Sequence, residues 1–580
     1  MQRPPPRWRL APRDPEADAA LARELRTSPT LAALLRARGA ADPVAARAFL
    51  EPRLSDLEPP EKLLDVERGA ERLAKAVREG ERIVVYGDYD VDGMTGAALL
   101  ARFFKLAGGQ CDWYIPDRLK EGYSFSDEAL DKLFASSHPP RVLVTVDHGT
   151  SAVAAIRRLK AAGVDVVVTD HHEPPSLLPE DAAALINPRR PGCPSACKDL
   201  CGAAVAFKLA WATAQKLSQA TRVSDAFRAF LLDATAFVAL ATVADVVKLR
   251  DDNRVLCFHG LRAIAASPHP GLKALLRTAR LEGKRLDASH VGFRLGPRLN
   301  AAGRLGMAEK AVRLLTTDDP AEADRLADEL EEANEHRREI EKILQRETEE
   351  LLRRDPPAVE DAICLGSPKW HPGVIGIVAS RLSERWQVPV MLVALNGAAG
   401  RGSARAPSGV HLRDLLAECA EHLTSFGGHA GAAGCTVSEE RWPGFRDSFR
   451  AAARKALLEK PPERTLDLDL ELPFSAISAP LVEELQRLAP HGAGNPAPTF
   501  CTHGLRIAGR PTTVGPDGGH LRMMLTDGES SLRAVGFHMG KRLPEITSKG
   551  GRVSAAYRLK FDDFRDARAV ELELVDVRAV

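Results

Sequence analysis

Ile83-Val84-Val85-Tyr86-Gly87-Asp88-Tyr89-Asp90-Val91-Asp92-Gly93 is the stretch that decides the fold. Ile83–Tyr86 is a short apolar run, largely β-branched and without polar alternation. That pattern marks a strand buried on both faces, hence a parallel sheet of βαβ type. Asp88, Asp90 and Asp92 follow it, and Thr95–Leu106 behind them reads as a helix. The arrangement recurs. Val142–Val146 runs into Asp147-His148-Gly149, and Val164–Val168 into Thr169-Asp170-His171-His172, with helical Ala152–Ala162 between them. Three strands thus deliver acids at their carboxyl ends, the edge at which open α/β sheets bind ligands. A single Asp there would be an ordinary helix cap; capping does not account for three such ends together.

Carboxylates gathered in one crevice repel and raise one another's pKa values. Bound divalent cations relieve this, and a carboxylate set with imidazole and no thiolate favours Mn²⁺ or Mg²⁺. Two such cations about 4 Å apart, bridged by an Asp, form a phosphoester-hydrolysis device. An EF-hand reading of Asp88, Asp90 and Asp92 fails for want of the glutamate that a calcium loop needs further on.

Outward from this core, the 580 residues allow three or four domains. Residues 1–60 are rich in Arg and Pro and read as an N-terminal appendage; 61–315 hold the parallel-sheet domain. Asp319-Pro320 opens a charged helix running to about Arg354, with a thin apolar stripe of Leu326, Leu330, Ile340 and Leu344. At 1.5 Å per residue it would reach about 50 Å, the length of a connector, spanning 316–356. Residues 357–460 read as a second α/β domain. After Pro461-Pro462, residues 464–580 alternate apolar and polar in Thr465–Leu472, Val553–Phe561 and Val570–Val577. There Asp527-Gly528 marks a hairpin between Leu521–Leu525 and Leu532–Phe537. This is expected to be an OB-like β-barrel that binds nucleic acid.

Composition sets limits. Hydrophobic residues at 44% and charged residues at 27% describe a folded protein. With 80 Lys+Arg against 79 Asp+Glu the net charge is +1, which excludes a basic coat; phosphate must be met by local arginines. Aromatics at 5% leave little for base stacking. The segment Ala234–Ala244 is too short to span a bilayer, and Pro4, Pro5 and Pro6 with Asp14, Glu16 and Asp18 do not resemble a signal peptide. Nine cysteines suit a reducing, cytoplasmic setting; Cys193, Cys197 and Cys201 lie in a Pro/Gly loop without a fourth soft ligand. Arg298-Leu299-Asn300-Ala301-Ala302-Gly303-Arg304 could clamp an oxyanion. Gly427-Gly428-His429-Ala430-Gly431-Ala432-Ala433-Gly434 could admit a phosphate to backbone amides or be a tight packing turn, and Gly402-Ser403-Ala404-Arg405 has the same character.

The Asp-Tyr-Asp-x-Asp-Gly, Asp-His-Gly and Asp-His-His segments resemble the DHH phosphoesterase superfamily. Thr242–Val247 and Arg298–Arg304 are similar to its fourth and fifth motifs, and His371–Leu382 with Gly427–Gly434 to its companion DHHA1 domain. Motif order and the closing β domain resemble the superfamily's bacterial single-strand-specific DNA exonucleases, over about residues 60–577. Gly96 stands where Ser is common, and Lys248 where Pro is common. The resemblance implies a metal-dependent 5′→3′ exonuclease that releases 5′-mononucleotides from single-stranded DNA in repair and recombination. It implies two divalent cations, Mn²⁺ or Mg²⁺, held by Asp90, Asp92, Asp147, His171 and Asp245, with Asp147 bridging and Asp88 either a ligand or a partner of the ligands. By the same resemblance His172 touches the scissile phosphate, Asp170 orients its neighbours, and Arg298, Asn300 and Arg304 hold the phosphate. Arg118, Ser403 and Arg405 anchor the 5′ end, and His371, Gly428 and His429 are further substrate-binding positions. The implied partners are single-stranded DNA with a free 5′ end, a single-strand-binding protein and a helicase, with no membrane; the chain is expected to act as a monomer. Two alternatives stay open: a relative that cleaves very short RNA, cyclic dinucleotides or pyrophosphate, and a non-catalytic DNA-binding scaffold.

Overall fold

The structure is a computed structural model that describes residues 6–118, 121, 125–135, 139–354, 356, 361–396, 399–459, 461, 464–515, 517–548, 550–562 and 568–580. Pro4, Pro5 and Pro462 lie outside the described residues. The chain forms two compact units, one of Glu58–Asp245 with His259–Arg464, the other of the residues up to Leu57 with Val246–Phe258 and Thr465–Val580.

In the first unit every residue of Ile83–Gly87 and Val142–Val146 is buried, as the unbroken apolar runs require. Five parallel strands lie in the order Cys111–Tyr114, Ile83–Gly87, Val142–Val146, Asp165–Thr169, Ala184–Ile186. The chain passes from Ile83–Gly87 outward to Cys111–Tyr114 and then returns to the other side, which makes the gap between Ile83–Gly87 and Val142–Val146 a topological switch point. Register aligns Gly87 with Val146 and Val146 with Thr169, so Asp88, Asp147 and Asp170 leave the sheet side by side. Helix Val91–Leu106 packs on Gly202–Ser218 through Gly96, where a Cβ would lie 2.5 Å from Val146 and 3.0 Å from Ala203. A larger residue at position 96 would need the Val146 side chain or the helix at Ala203 to shift.

The helix Pro320–Arg354 is 35 residues long, as its uninterrupted helix-forming sequence predicts. It joins a second sheet in the order Ser425–Gly428, Ala432–Ser438, Ala399–Arg405, Val390–Ala394, Ile363–Ser367. The glycine-rich segment is a hairpin here, with Gly427 opposite Gly434 and Gly434 opposite Ser403.

In the second unit Phe500–Val514, His520–Thr526, Ser531–Gly536, Val570–Ala579 and Arg552–Phe561 pair in that order, and Arg552–Phe561 pairs back onto Phe500–Val514 to close a five-stranded barrel. The expected hairpin joins His520–Thr526 to Ser531–Gly536; Asp527 Oδ1 accepts from the amides of Glu529 and Ser530, and Gly528 takes φ +109°. Residues 6–57, read from sequence as an appendage, share the barrel's core: Leu31, Leu34 and Leu35 are fully buried in one cluster with Leu505, Leu521 and Val553. Strand Arg7–Leu10 pairs in parallel with Thr465–Leu468, and Trp8 Nε1 donates to Asp576 at 2.7 Å. Pro- and Arg-rich flanks masked this, because short helices reveal their apolar faces only weakly against such flanks.

Leu34→Ala should therefore cost about 2–5 kcal/mol in the barrel unit, the range for emptying a buried leucine site. Urea unfolding followed by fluorescence, to which Trp8 of this unit contributes, would show it; a loss under ~0.5 kcal/mol, typical of an exposed position, would contradict the shared core.

Candidate metal centre

Each acid reaches the crevice by a different backbone device. Asp90 caps helix Val91–Leu106, its Oδ1 accepting from the amides of Asp92 (2.9 Å) and Gly93 (3.1 Å). Asp92, one residue into that helix, is buried, and its two oxygens accept from the amides of Gly202 (2.6 Å) and Ala203 (2.7 Å) at the start of helix Gly202–Ser218. Exposed amides at a helix amino end suit an anion. Asp147 follows its strand at φ +67°, a left-handed conformation that Asp tolerates better than most residues. Gly202 makes room for it, since a Cβ there would lie 2.6 Å from that of Asp147. Asp245 caps the carboxyl end of helix Asp225–Ala244.

These groups converge on His171. Its Nε2 lies 3.0 Å from Asp147 Oδ1, 3.6 Å from Asp245 Oδ2 and 3.7 Å from Asp92 Oδ2. Three sets of ligand atoms each fall within 4.8 Å: Asp88, Asp90 and Asp147; Asp92, His171 and Asp245; and Asp147, His171 and His172. Burial, then the charge of Asp90, pushes Asp88 up to about 8 and Asp92 up to about 7. Burial, then Asp92, pushes Asp245 up to about 8, and burial with the neighbouring carboxylates raises Asp147 well above the usual range. Among the described residues, buried Asp88 Oδ1, Asp147 Oδ1 and His171 Nδ1 make no hydrogen bond. Crowded, desolvated carboxylates with unsatisfied oxygens and a neutral imidazole form a hard-cation site, and this donor set fits Mn²⁺ or Mg²⁺.

The adjacent histidines differ sharply. Burial, then the neighbouring His172, lowers His171 to about 3, so it stays neutral and can offer a lone pair. Burial also pushes His172 down, but the hydrogen bond and charge of Asp170 outweigh it and raise His172 to about 9. Asp170 Oδ1 lies 2.8 Å from His172 Nδ1 and accepts from the amides of His171 and His172, while Oδ2 accepts from Thr150. Burial would raise Asp170, yet these bonds hold it well below the ordinary carboxylate range. His148 does not join the centre. It is buried against the Tyr86 ring with Nε2 3.0 Å from Tyr86 O, and desolvation lowers it to about 4.

Arg298 does not present itself to a phosphate. Its side chain is 7% exposed, and the guanidinium pairs with Glu331 of the connecting helix and donates to the carbonyls of Arg294 and Thr278. Asn300 Oδ1 accepts from Val91 N at 3.3 Å, bracing the Asp90–Asp92 turn, and Gly303 packs so close that a Cβ would lie 1.9 Å from Tyr89 O. Arg304 donates to Gly373 O at 3.0 Å; burial, then Arg118 and Arg405, lowers it to about 10. Arg118, Ser403, Arg405 and Gly428 line one cavity of about 490 Å³ together with Tyr89 and Arg401. Arg405 donates to Ser403 Oγ at 3.1 Å, and Arg118 lies 4.8 Å above the Tyr89 ring. His371 Nδ1 accepts from Gly373 N, and His429 stacks near His172 at 6.4 Å, so neither is a lining residue of that cavity. Sequence reasoning missed Tyr89 and Arg401 as cavity walls and Asn187, which donates to Thr150 Oγ1 and His172 O. Tyr89 lies inside the first motif and could have been found there; Asn187 carries no local signal.

The raised acids dominate the pH dependence of stability; His171 and His148, lowered from 6.5 to about 3 and 4, act the other way but only below about pH 6.5. Asp88, Asp92 and Asp245 move from 3.8 to about 8, 7 and 8, so the folded chain holds protons that the unfolded chain releases. Their contribution is present at low pH and lost as pH rises through that window. His172, raised from 6.5 to about 9, acts in the same direction, its contribution lost as pH rises through about 9. The metal-stripped chain should therefore melt lower at about pH 8 than at about pH 5, and Mn²⁺ should raise the melting temperature more at the higher pH. A melting temperature that climbs from pH 5 to 8 without metal would contradict this electrostatic picture.

The chain matches the DHH family N-terminal domain over residues 82–235, the DHHA1 domain over 359–456 and the RecJ OB domain over 468–576. It is 35% identical over 554 residues to the single-stranded-DNA-specific exonuclease RecJ of Escherichia coli, covering 93% of this chain and 94% of that protein. It is 32% identical to the Bacillus subtilis RecJ, covering 98% of this chain and 70% of that protein. The crystal structure of Thermus thermophilus RecJ in complex with Mn²⁺ superposes with a TM-score of 0.84 at 32% identity, covering 99% of this chain and 80% of that one. By sequence over nearly its whole length and by fold, the chain belongs to the RecJ family.

Proposed function

We propose that the chain is a metal-dependent exonuclease that degrades single-stranded DNA from the 5′ end to 5′-mononucleotides. The observation that carries this reading is the convergence of three ligand sets on the carboxyl ends of parallel strands. The arginine-lined cavity of the same unit supports it, as do relatives named as single-stranded-DNA-specific exonucleases.

Asp88, Asp90 and Asp147 would hold one cation and Asp92, His171 and Asp245 a second, with Asp147 shared. When bound, the cations polarise the scissile phosphate and lower the pKa of a water. Asp170 keeps His172 protonated and oriented, so His172 brings a positive charge to the non-bridging oxygens. Arg304 adds a desolvated guanidinium that already carries unpaid repulsion from Arg118 and Arg405, and a phosphate relieves it. Arg298 braces the Asn300 helix against the connecting helix instead of touching substrate. Ser403, Arg405 and Arg118 receive the 5′ end, where Tyr89 closes one wall.

The finer partners belong to the same reading. A helicase and a single-strand-binding protein would supply and shield the strand, and the chain would act as a cytoplasmic monomer. Helix Asp225–Ala244 is the one helix among the described residues long and apolar enough to cross a membrane, and 56% of its most apolar window is buried inside the fold. The superfamily alternatives remain outcomes of the test below.

Oligonucleotides labelled at either end, single-stranded or duplex, should lose mononucleotides from the 5′ end of single strands with Mn²⁺ and remain intact with EDTA. Release from the 3′ end, or cleavage confined to dinucleotides, would contradict the proposal. Asp147→Ala should abolish turnover with the fold retained, because it removes one of several repelling charges. Arg405→Ala should weaken 5′-phosphorylated strands by about 1–3 kcal/mol, the range for charge-assisted bonds. Equal weakening of 5′-hydroxyl strands, measured by competition, would place Arg405 elsewhere on the strand path.

A further inference from the structure

Asn187 follows the edge strand Ala184–Ile186 of the parallel sheet and is fully buried. Burying a side-chain amide is costly unless each of its polar groups finds a partner. Here all of them do. Oδ1 accepts from the amide of Arg189 at 2.8 Å, and Nδ2 donates to His172 O at 2.9 Å and to Thr150 Oγ1 at 3.0 Å. The first bond stays within the turn after the strand. The other two reach the loops that follow Asp165–Thr169 and Val142–Val146 in the same unit.

Chemistry fixes which way the amide points. A carbonyl oxygen only accepts, so Nδ2 must face His172 O, and the same nitrogen then donates to Thr150 Oγ1. The hydroxyl proton of Thr150 is left to be given away. It goes to Asp170, which also accepts from the Thr150 amide at 2.9 Å. Asp170 in turn meets His172 Nδ1 at 2.8 Å. The four residues close a ring: Asn187 to Thr150, Thr150 to Asp170, Asp170 to His172, and the His172 carbonyl back to Asn187. Thr150, Asp170 and Asn187 are all buried, so water competes little for these bonds.

The backbone sets the spacing of the ring. Asp170 N donates to Ile186 O at 3.1 Å, which carries the pairing of Thr169 with Ile186 one step further and brings Asn187 alongside Asp170. Gly149 takes φ +116°, and a Cβ there would lie 2.8 Å from Thr145 Oγ1, so the turn that delivers Thr150 needs glycine. His172 itself lies in neither strand nor helix, and the chain runs on through Glu173 into Pro174 and Pro175. A bond at Nδ1 alone would let the imidazole and its backbone move together. The bond to the His172 carbonyl holds the backbone end.

We propose that Asn187 is a positioning residue: by tying the His172 carbonyl to the Thr150 hydroxyl, it sets the place from which the His172 imidazole meets the scissile phosphate. The proposal rests on the reading of His172 as that phosphate-facing group.

The test uses the full-length chain, a 5′-phosphorylated single strand and saturating Mn²⁺. Asn187→Asp keeps the shape and the bond from Arg189 but replaces the Nδ2 donor with an oxygen that His172 O repels. It should lower kcat by about ten- to a hundredfold, the cost of misplacing a reacting group by about 1 Å, with KM little changed. Mn²⁺ affinity, titrated by calorimetry into the EDTA-stripped chain, should stay within about threefold, short of the tenfold or more that loss of a metal ligand's support brings. His172→Ala should lower kcat at least as far. The double variant should be no slower than His172→Ala alone, because a residue that acts through His172 then has nothing to position. An asparagine that only tied down the edge strand would instead give losses that multiply. If Asn187→Asp does not fold, Thr150→Val, which removes the hydroxyl that Asn187 holds, decides by the same measures. Near wild-type kcat, losses that multiply with His172→Ala, or a loss of Mn²⁺ affinity that matches the loss of kcat overturns the proposal. Wild-type kcat in His172→Ala overturns instead the reading of His172, and the proposal with it.

Discussion

Burial of several carboxylates in one crevice, compounded by their mutual repulsion, is the constraint around which the catalytic unit is arranged. Asp88, Asp92 and Asp147 are each 5% exposed or less, and each is pushed toward its protonated form. Left to itself such a cluster would swell or neutralise. The fold opposes this with rigid backbone: a parallel register that sets strand ends side by side, a left-handed Asp147, a Gly202 that lets helix and acid approach, and two helix amides on Asp92. Cation binding would convert the stored repulsion into affinity, and the oxygen-rich donor set suits hard divalent ions.

The two histidines divide the work by environment alone. His171, desolvated among acids, stays neutral and faces the carboxylates; His172, one residue on, is charged because Asp170 is held ionised by three amides and the imidazole itself. Under the proposed function, a ligand and a phosphate-facing cation would thus come from adjacent positions. Arg298 and Asn300 extend the same logic outward, bracing from behind the turn that carries Asp90 and Asp92.

Much of this was legible in the sequence because the signals were local. Unbroken apolar runs located the buried strands, Asp319-Pro320 opened the long helix, and Asp527-Gly528 marked a barrel hairpin that formed as read. The acids stood out because three strand ends repeated one chemistry. What escaped depended on long-range packing. His148 shares its motif with Asp147 yet turns into the core, because its ring meets Tyr86. Arg298 looked like a phosphate clamp, but its partner Glu331 lies 33 residues away on another helix. Residues 6–57 looked peripheral, since nothing near them in sequence announces the barrel strands whose core their buried leucines complete.

We propose that the crowded acids hold two cations that share Asp147. Crystals of the full chain soaked in Mn²⁺ and measured at the manganese absorption edge test it most directly. Two anomalous peaks are expected about 4 Å apart, one beside Asp88 and Asp90, the other beside Asp92, His171 and Asp245, with Asp147 between them. A single peak, or manganese bound away from Asp147, would contradict it.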